Sequence, residues 1–387
     1  MPNVLIVRGQ LVTPWELRPW LELPPRYEVR CLLTRSNRFA APDDLEYVRV
    51  RSLRDFLPGG PIGEVAAGLL GDRYVGAEGA FDWADIVHAE ELSFWFSAEA
   101  ARRRRRHRFR LVQTVWETLP MLGTFRNRHA RRNRQLVLSA TDLFLPVTDR
   151  AAVALRLEGV AEERIRVCPP GIDVERFAPR GDVGAPDGHT LVSPGRLVWE
   201  KGHQDVLRAV ALLHRGIVMT KHGPVRPRLQ IIGSGPEEQR LRAFAQELGI
   251  QEFVQIGGVS YDEMPSRFAV ASAMVLATQG AATAAYHPFD IPRAFWEEQF
   301  GMVLAEAMAA GLDIVTTTSG AVPEVLAGTN ARTVAAGDWM GIARALADGA
   351  LVRQPAERVP YPPEVIARYS TSAAGQRLSA AYDGVLR

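Results

Sequence analysis

Glu298 and Glu306 stand eight residues apart within residues 296–311 (WEEQFGMVLAEAMAAG), the part of the chain richest in groups that could do chemistry. Phe300-Gly301 reads as a turn that opens a helix, and Gly311 as the glycine that closes it. Amides at a helix opening have no partner inside the helix and favour an anionic or hydroxyl-rich ligand. Glu306 falls among Val303, Leu304, Ala305, Ala307 and Met308. A carboxylate in that company needs a partner, because unpaired burial is costly. An arginine would be the structural answer, a ligand hydroxyl the functional one. A second group, Ser193-Pro194-Gly195-Arg196-Leu197-Val198-Trp199-Glu200-Lys201-Gly202, lies between a short apolar run and a helix expected from His203 to about Leu213. Arg196 and Lys201 on one strand-to-helix loop can converge on a departing diphosphate and stabilise it without a metal. Gly233, in Ile231-Ile232-Gly233-Ser234-Gly235-Pro236, and Gly9, after the apolar run 4–7, are turns where backbone can approach a ligand closely. Thr13-Pro14-Trp15-Glu16 reads as a capping box with proline at the first helical position.

Positioning these groups falls to short apolar runs that alternate with longer helical stretches. The runs are residues 4–7, 29–33, 86–87, 111–115, 143–147 and 165–167 in the first half. In the second half they are 191–192, 229–232, 253–256, 274–276, 314–317 and 333–335. The alternation predicts an α/β chain with parallel sheets covered by helices on both faces. Ligands of such sheets bind beyond the carboxyl ends of the strands. A length of 387 residues suits two domains, 1–180 and 189–365. The small, turn-forming stretch 181–188 (GDVGAPDG) is the expected linker. Residues 280–294 read as a long loop, and Leu378, Tyr382 and Val385 mark one face of a C-terminal helix within 366–387.

A hydrophobic share of 47% and a charged share of 23% are ordinary for a globular chain. No apolar run approaches the roughly 20 residues of a spanning helix, and no basic leader precedes an apolar core, so no signal peptide is expected. Cys31 and Cys168 give neither a disulfide framework nor a zinc pattern and are expected as packing residues in a reducing, cytoplasmic setting. The net charge of +2 conceals a concentration: residues 102–134 hold twelve arginines against one acid, Glu117. Residues 102–110 (RRRRRHRFR) read as the end of a helix running into a strand; Arg126, Arg128, Arg131, Arg132 and Arg134 follow on another helix. Three readings stand open for that second group: solvated surface, attraction of an acceptor bearing phosphate or carboxylate, and peripheral contact with an anionic membrane on its inner face.

Together these motifs resemble the retaining glycosyltransferases of family 4, which have the GT-B architecture: two facing Rossmann-like domains and a C-terminal helix that crosses back to the first. Residues 164–177 (RIRVCPPGIDVERF), 195–209, 229–249, 298–311 and 320–325 carry the resemblance, and Glu298 with Glu306 matches the family's Glu-x7-Glu motif. The resemblance implies Glu298 on hydroxyls of the donor sugar and Glu306 on the ribose hydroxyls of the nucleotide. It further implies backbone groups of Phe300, Gly301, Met302 and Val303 on sugar and phosphates, and Arg196 and Lys201 on the diphosphate. Gly233 joins the donor set, with Gly9 approaching from the other domain. Glu297 adjoins this site, but the offset from Glu306 selects Glu298. Two departures matter. After the run 111–115, where many relatives carry a histidine near the acceptor, this chain has Trp116-Glu117, which leaves Glu117 and His88 as candidates. Gly311-Leu312-Asp313 replaces the usual Gly-x-Pro and alters a turn.

The resemblance implies transfer of a sugar from a nucleoside diphosphate sugar to an acceptor hydroxyl, with retention of configuration, no metal, and no cofactor besides the substrate. Disaccharide synthesis of the sucrose-phosphate or trehalose type uses the same donor half. A nucleotide-sugar epimerase shares the fold but lacks this combination of motifs. A dinucleotide oxidoreductase fits worse, since Val7-Arg8-Gly9-Gln10-Leu11 is not followed by the second and third glycines of Gly-x-Gly-x-x-Gly. The non-catalytic rival is an arginine-rich nucleic-acid binder, which would show salt-dependent binding without donor turnover; no nucleic-acid partner is expected.

Overall fold

The computed structural model describes residues 1–10, 12–37, 44–57, 63, 72–121, 128–179, 186–280 and 296–387. Arg126, most of the expected linker and nearly all of the loop expected at 280–294 lie outside them. The chain forms two compact units, Met1–Gly171 with Ser370–Arg387, and Ile172–Tyr369.

The first unit holds a seven-stranded sheet of β1 (Asn3–Val7), β2 (Glu28–Thr34), β3 (Glu46–Ser52), β4 (Tyr74–Val75), β5 (Ile86–Glu90), β6 (Arg110–Val115) and β7 (Leu143–Pro146). Their order is β4-β3-β2-β1-β5-β6-β7, and only β4 runs antiparallel. Side chains alternate across a strand, and β1 shows the consequence. Leu5 and Val7 enter one buried cluster with Phe109 and Leu111; Val4 and Ile6 enter another with Cys31, Cys168, Leu378 and Tyr382. Both faces are therefore core, which is why the run reads as continuously apolar. The C-terminal helix Thr371–Leu386 closes the second face, where the Tyr382 hydroxyl accepts from Trp20 Nε1 at 2.8 Å. The strand expected at 165–167 reduces to one bridge, Ile165 to Phe144. The half-exposed, charge-laced β3 (EYVRVRS) gives no apolar run to read.

The second unit holds six parallel strands: β8 (Thr190–Pro194), β9 (Arg228–Ile232), β10 (Val254–Gly257), β11 (Ala273–Leu276), β12 (Asp313–Thr317) and β13 (Arg332–Val334). The order is β10-β9-β8-β11-β12-β13. The progression of strands reverses between β8 and β11, the kind of switch point where open α/β sheets take ligands. The boundary between the units precedes residues 181–188 because the segment before them packs on the second unit. Phe177 meets the rings of Phe268 and Tyr261 at 5.6 and 6.0 Å, and Arg176 pairs with Asp262. No helix among the described residues is long and apolar enough to cross a membrane.

Candidate functional site

Two loops leaving the carboxyl ends of β8 and β9 touch backbone to backbone, which only glycine allows. A Cβ on Gly233 would lie 1.9 Å from the Gly195 carbonyl oxygen; one on Gly202, at φ 72°, would lie 1.7 Å from that of Ala277. Buried His203 ties the β8 loop from inside. Its Nδ1 meets Ser193 Oγ at 2.9 Å and its Nε2 donates to the Arg196 carbonyl at 3.2 Å. Burial pushes its pKa down to about 4, so the ring is neutral. This loop carries the two expected cations. Lys201 Nζ reaches Glu298 Oε2 at 2.7 Å and lies 5.2 Å from the Trp296 ring centre. Arg196 is exposed and forms no ion pair among the described residues.

Glu298 is 5% exposed and is held from three strand ends. Lys201 follows β8; Thr278, beyond β11, donates its hydroxyl to Glu298 Oε2 at 3.0 Å. Beyond β12, Ser319 Oγ accepts from the Glu298 amide at 3.1 Å and donates to the Gln279 carbonyl at 2.7 Å. The Ala321 amide donates to the Glu298 carbonyl at 2.9 Å. Gly320, at φ 54°, leaves no room for a side chain, since its Cβ would fall 2.1 Å from that same carbonyl oxygen. Only one carboxylate oxygen is engaged; Oε1 takes no hydrogen bond among the described residues.

Gly301 caps the helix Met302–Ala309 at φ 78°, and Glu298 Cγ lies 3.5 Å from where its Cβ would be, which sets that side chain beside the helix opening. The first amides of the helix, at Met302 and Val303, belong to partly exposed residues. Phe300 is buried with its ring edge-on to Tyr369 at 5.3 Å, so only its backbone is placed to meet a ligand. Glu306, 4% exposed, accepts a hydrogen bond at 3.0 Å from the Tyr261 hydroxyl, in the loop beyond β10. A tyrosine thus holds the place where an arginine pair was the structural expectation. Burial raises the Glu306 pKa to about 7, against smaller opposing effects of Tyr261 and Arg176.

The candidates of the first unit fare differently. His88 is fully buried within β5, not at its end. Its Nδ1 meets the Tyr382 hydroxyl at 2.6 Å and its Nε2 the Thr114 hydroxyl at 2.7 Å. Both nitrogens are occupied and burial drives its pKa well below the usual value, so His88 is a core residue and no longer a catalytic candidate. Glu117 is buried and accepts from the Leu119 amide at 3.3 Å, within its own turn. Gly9 has a packing reason of its own: a Cβ there would stand 3.0 Å from the Phe96 ring. Thr13 caps the helix Pro14–Leu21 without a side-chain bond to it, so the expected capping box does not close. Arg128, Arg131 and Arg132 are exposed on the helix Arg128–Ala140, whereas Arg134 is buried against Glu158 with Nε 2.7 Å from Oε2.

Sequence reasoning missed Thr278, Ser319, Gly320 and Tyr261. Gly320 opened a stretch already noted for its resemblance; the polar residues around it gave no signal of their own.

Residues 22–176 match the model for Glycosyltransferase Family 4, and residues 180–353 that for Glycosyl transferases group 1. The chain belongs to glycosyltransferase family 4. A GDP-mannose-dependent alpha-(1-6)-phosphatidylinositol monomannoside mannosyltransferase of Mycolicibacterium smegmatis is 33% identical over 192 residues, 46% of this chain and 45% of that protein. A D-inositol 3-phosphate glycosyltransferase of Corynebacterium jeikeium is 29% identical over 341 residues, 77% of this chain and 72% of that one. The chain spans under half the length of the mycobacterial relatives it matches, 45% and 39%. Among solved structures, sucrose-phosphate synthase of Thermosynechococcus elongatus superposes with a TM-score of 0.72 at 15% identity, covering 100% of this chain and 99% of the other. HepE of Anabaena, in complex with UDP and glucose, gives 0.70 at 15% identity, covering 99% and 100%. At such identities the likeness is one of fold, and the family 4 chain has the two Rossmann-like domains of GT-B.

Proposed function

We propose that this chain moves a sugar from a nucleoside diphosphate sugar to an acceptor hydroxyl, with retention of configuration and without a divalent metal. The arrangement around Glu298 carries the reading. One carboxylate oxygen is fixed by Lys201 and Thr278 and the other is left to accept sugar hydroxyls, beside a helix opening and a loop bearing two cations. Glu306 takes the ribose diol, Arg196 and Lys201 the diphosphate, and amides of Met302 and Val303 the sugar and phosphate oxygens. Gly233 keeps the β9 loop flat enough for the nucleotide to lie against. The bond from the anomeric carbon to the diphosphate breaks as the acceptor oxygen attacks on the same face. The acceptor's proton passes to the departing diphosphate oxygen. The protein orients the partners and stabilises the charge that develops on the leaving group.

The two relatives are named for GDP-mannose and for an inositol phosphate, and HepE among the solved neighbours is in complex with UDP. A phosphate-bearing acceptor suits exposed Arg128, Arg131 and Arg132, and an anionic bilayer suits them too; flotation with liposomes after changing the three to glutamine separates the two. Incubation with UDP-, GDP- and ADP-sugars in excess EDTA, with product followed by proton NMR, tests the reaction. One donor is expected to turn over and to yield a product of unchanged anomeric configuration. Turnover that needs added magnesium or manganese, or an inverted product, would contradict the proposal.

A further inference from the structure

Tyr261 lies outside every motif that pointed to the donor site, yet its hydroxyl is 3.0 Å from Glu306 Oε1. Glu306 Oε2 takes no hydrogen bond among the described residues, so this single bond sets the rotation of the carboxyl group. Tyr261 is itself held from one side. The Arg176 guanidinium lies 5.1 Å from the centre of its ring, and the Phe177 ring meets it edge-on at 6.0 Å. Arg176 also pairs with Asp262, and Phe177 is anchored on Phe268. Both belong to the turn Val174–Phe177, whose first amides are capped by Asp173, with Oδ1 3.2 Å from the Arg176 amide. That turn packs against the helix that carries Glu306.

Resting on the donor reading above, we propose that Tyr261 is a positioning residue. Its hydroxyl turns Glu306 so that the free oxygen faces the ribose diol, and Arg176 and Phe177 hold the tyrosine in place. A diol donates two hydrogen bonds, and a carboxylate accepts them best when ionised. The groups acting on the Glu306 charge are the Tyr261 hydroxyl and the Arg176 guanidinium, and both favour the ionised form against burial. Removing the hydroxyl therefore frees the carboxyl to rotate and lets it keep its proton to a higher pH.

Tyr261→Phe is the variant, with UDP and GDP as probes and calorimetric affinities measured from pH 6 to 9 beside the wild type. The ratio of the two affinities cancels the titration of the nucleotide itself. Tyr261→Phe is expected to bind about 10-fold more weakly near pH 7, where most of its Glu306 would still hold the proton. At pH 9, with the carboxyl ionised in both proteins, the gap is expected to narrow to about 2- to 3-fold, the part owed to the freed rotation. A 2′,3′-dideoxy nucleoside diphosphate is expected to bind both proteins alike. Carbon-13 NMR titration of the Glu306 carboxyl in the unliganded protein is expected to show a higher midpoint in the variant. Parallel pH curves, an unmoved midpoint, or an equal loss for the dideoxy nucleotide would each overturn the assignment of Tyr261. Failure of the wild type to bind any nucleotide, with the midpoint still moved, would overturn the donor reading and with it the ribose role.

Discussion

At the scale of single residues, the proposed function turns on what Glu298 and Glu306 can still accept after the fold has taken its share. Each has one oxygen bound by the protein and one left over. Glu306→Gln can keep a Tyr261 bond, because an amide oxygen also accepts from a hydroxyl, but removes the charge. Above pH 7 the affinity for nucleoside diphosphate is expected to fall about 10- to 100-fold, as hydrogen bonds to charged groups contribute about 1.5–3 kcal/mol. Calorimetry checks this, and an unchanged affinity would take Glu306 out of the site. Arg196→Ala tests the leaving-group role cleanly, since the side chain is exposed and unpaired among the described residues. Steady-state kinetics should show kcat lower by about 100-fold with the substrate affinity changed far less; a rise in KM alone would mean ground-state binding. Lys201→Ala is a poorer probe, because it also strands the buried Glu298 charge. The two carboxylates and two cations were legible in the sequence because their types and spacing are unusual in an apolar helix and a short loop. Tyr261 was not, since a hydroxyl 45 residues from its partner leaves no local pattern. His88 misled for the opposite reason: a lone histidine on a strand looks alike whether it faces a ligand or, as here, Tyr382 and Thr114.

Among the elements, glycines decide how closely the strand-end loops can meet. Gly320 is the sharpest instance, with a left-handed φ of 54° and a Cβ position 2.1 Å from the Glu298 carbonyl oxygen. Gly320→Ala is expected to push Glu298 away from the helix opening. Turnover should drop at least about 10-fold, since misplacing a reacting geometry by an ångström costs that much or more. Affinity for free nucleoside diphosphate, which depends on Glu306, should change little. Equal losses of both would mean that the whole loop has collapsed and not that Glu298 alone has moved. Eleven of the apolar runs in the sequence became strands, most of them buried on both faces, with β10 and β13 partly exposed at the sheet edges. The twelfth, at 165–167, stops at a single bridge. β3 escaped notice because exposed Glu46, Arg49 and Arg51 interrupt its apolar residues.

At the scale of the whole molecule, two carboxyls among the described residues, Glu91 and Glu306, keep protons that an unfolded chain would release. Burial, with like charge from Glu117, raises Glu91 to about 8, and burial raises Glu306 to about 7, both from an ordinary 4.5. Between about pH 4.5 and 8 the unfolded state therefore binds fewer protons at these two groups than the folded one, and their contribution to stability falls as pH rises. Buried His88 and His203 act in the opposite sense, below about 6.5, where unfolding lets them take up protons. Calorimetric scans should show Tm falling from pH 6.5 to 8, above the range in which the two histidines act, and Glu91→Gln should flatten that decline; an equally steep decline would mean that Glu91 ionises freely in the fold. The two-domain plan was legible from the alternation of apolar runs. The boundary was not, because packing of Phe177 on Phe268 assigns the preceding segment to the second unit, and composition does not register such contacts. The proposed chemistry depends above all on the second unit taking a nucleoside diphosphate sugar at Glu298 and Glu306. Titration of UDP, GDP and ADP and their sugars into the wild type and Glu306→Gln, in EDTA, tests it most directly. One base is expected to bind the wild type at a single site, with a raised Tm and with both effects largely lost in Glu306→Gln. No binding of any of these nucleotides at millimolar concentration, or equal binding by both proteins, would contradict it.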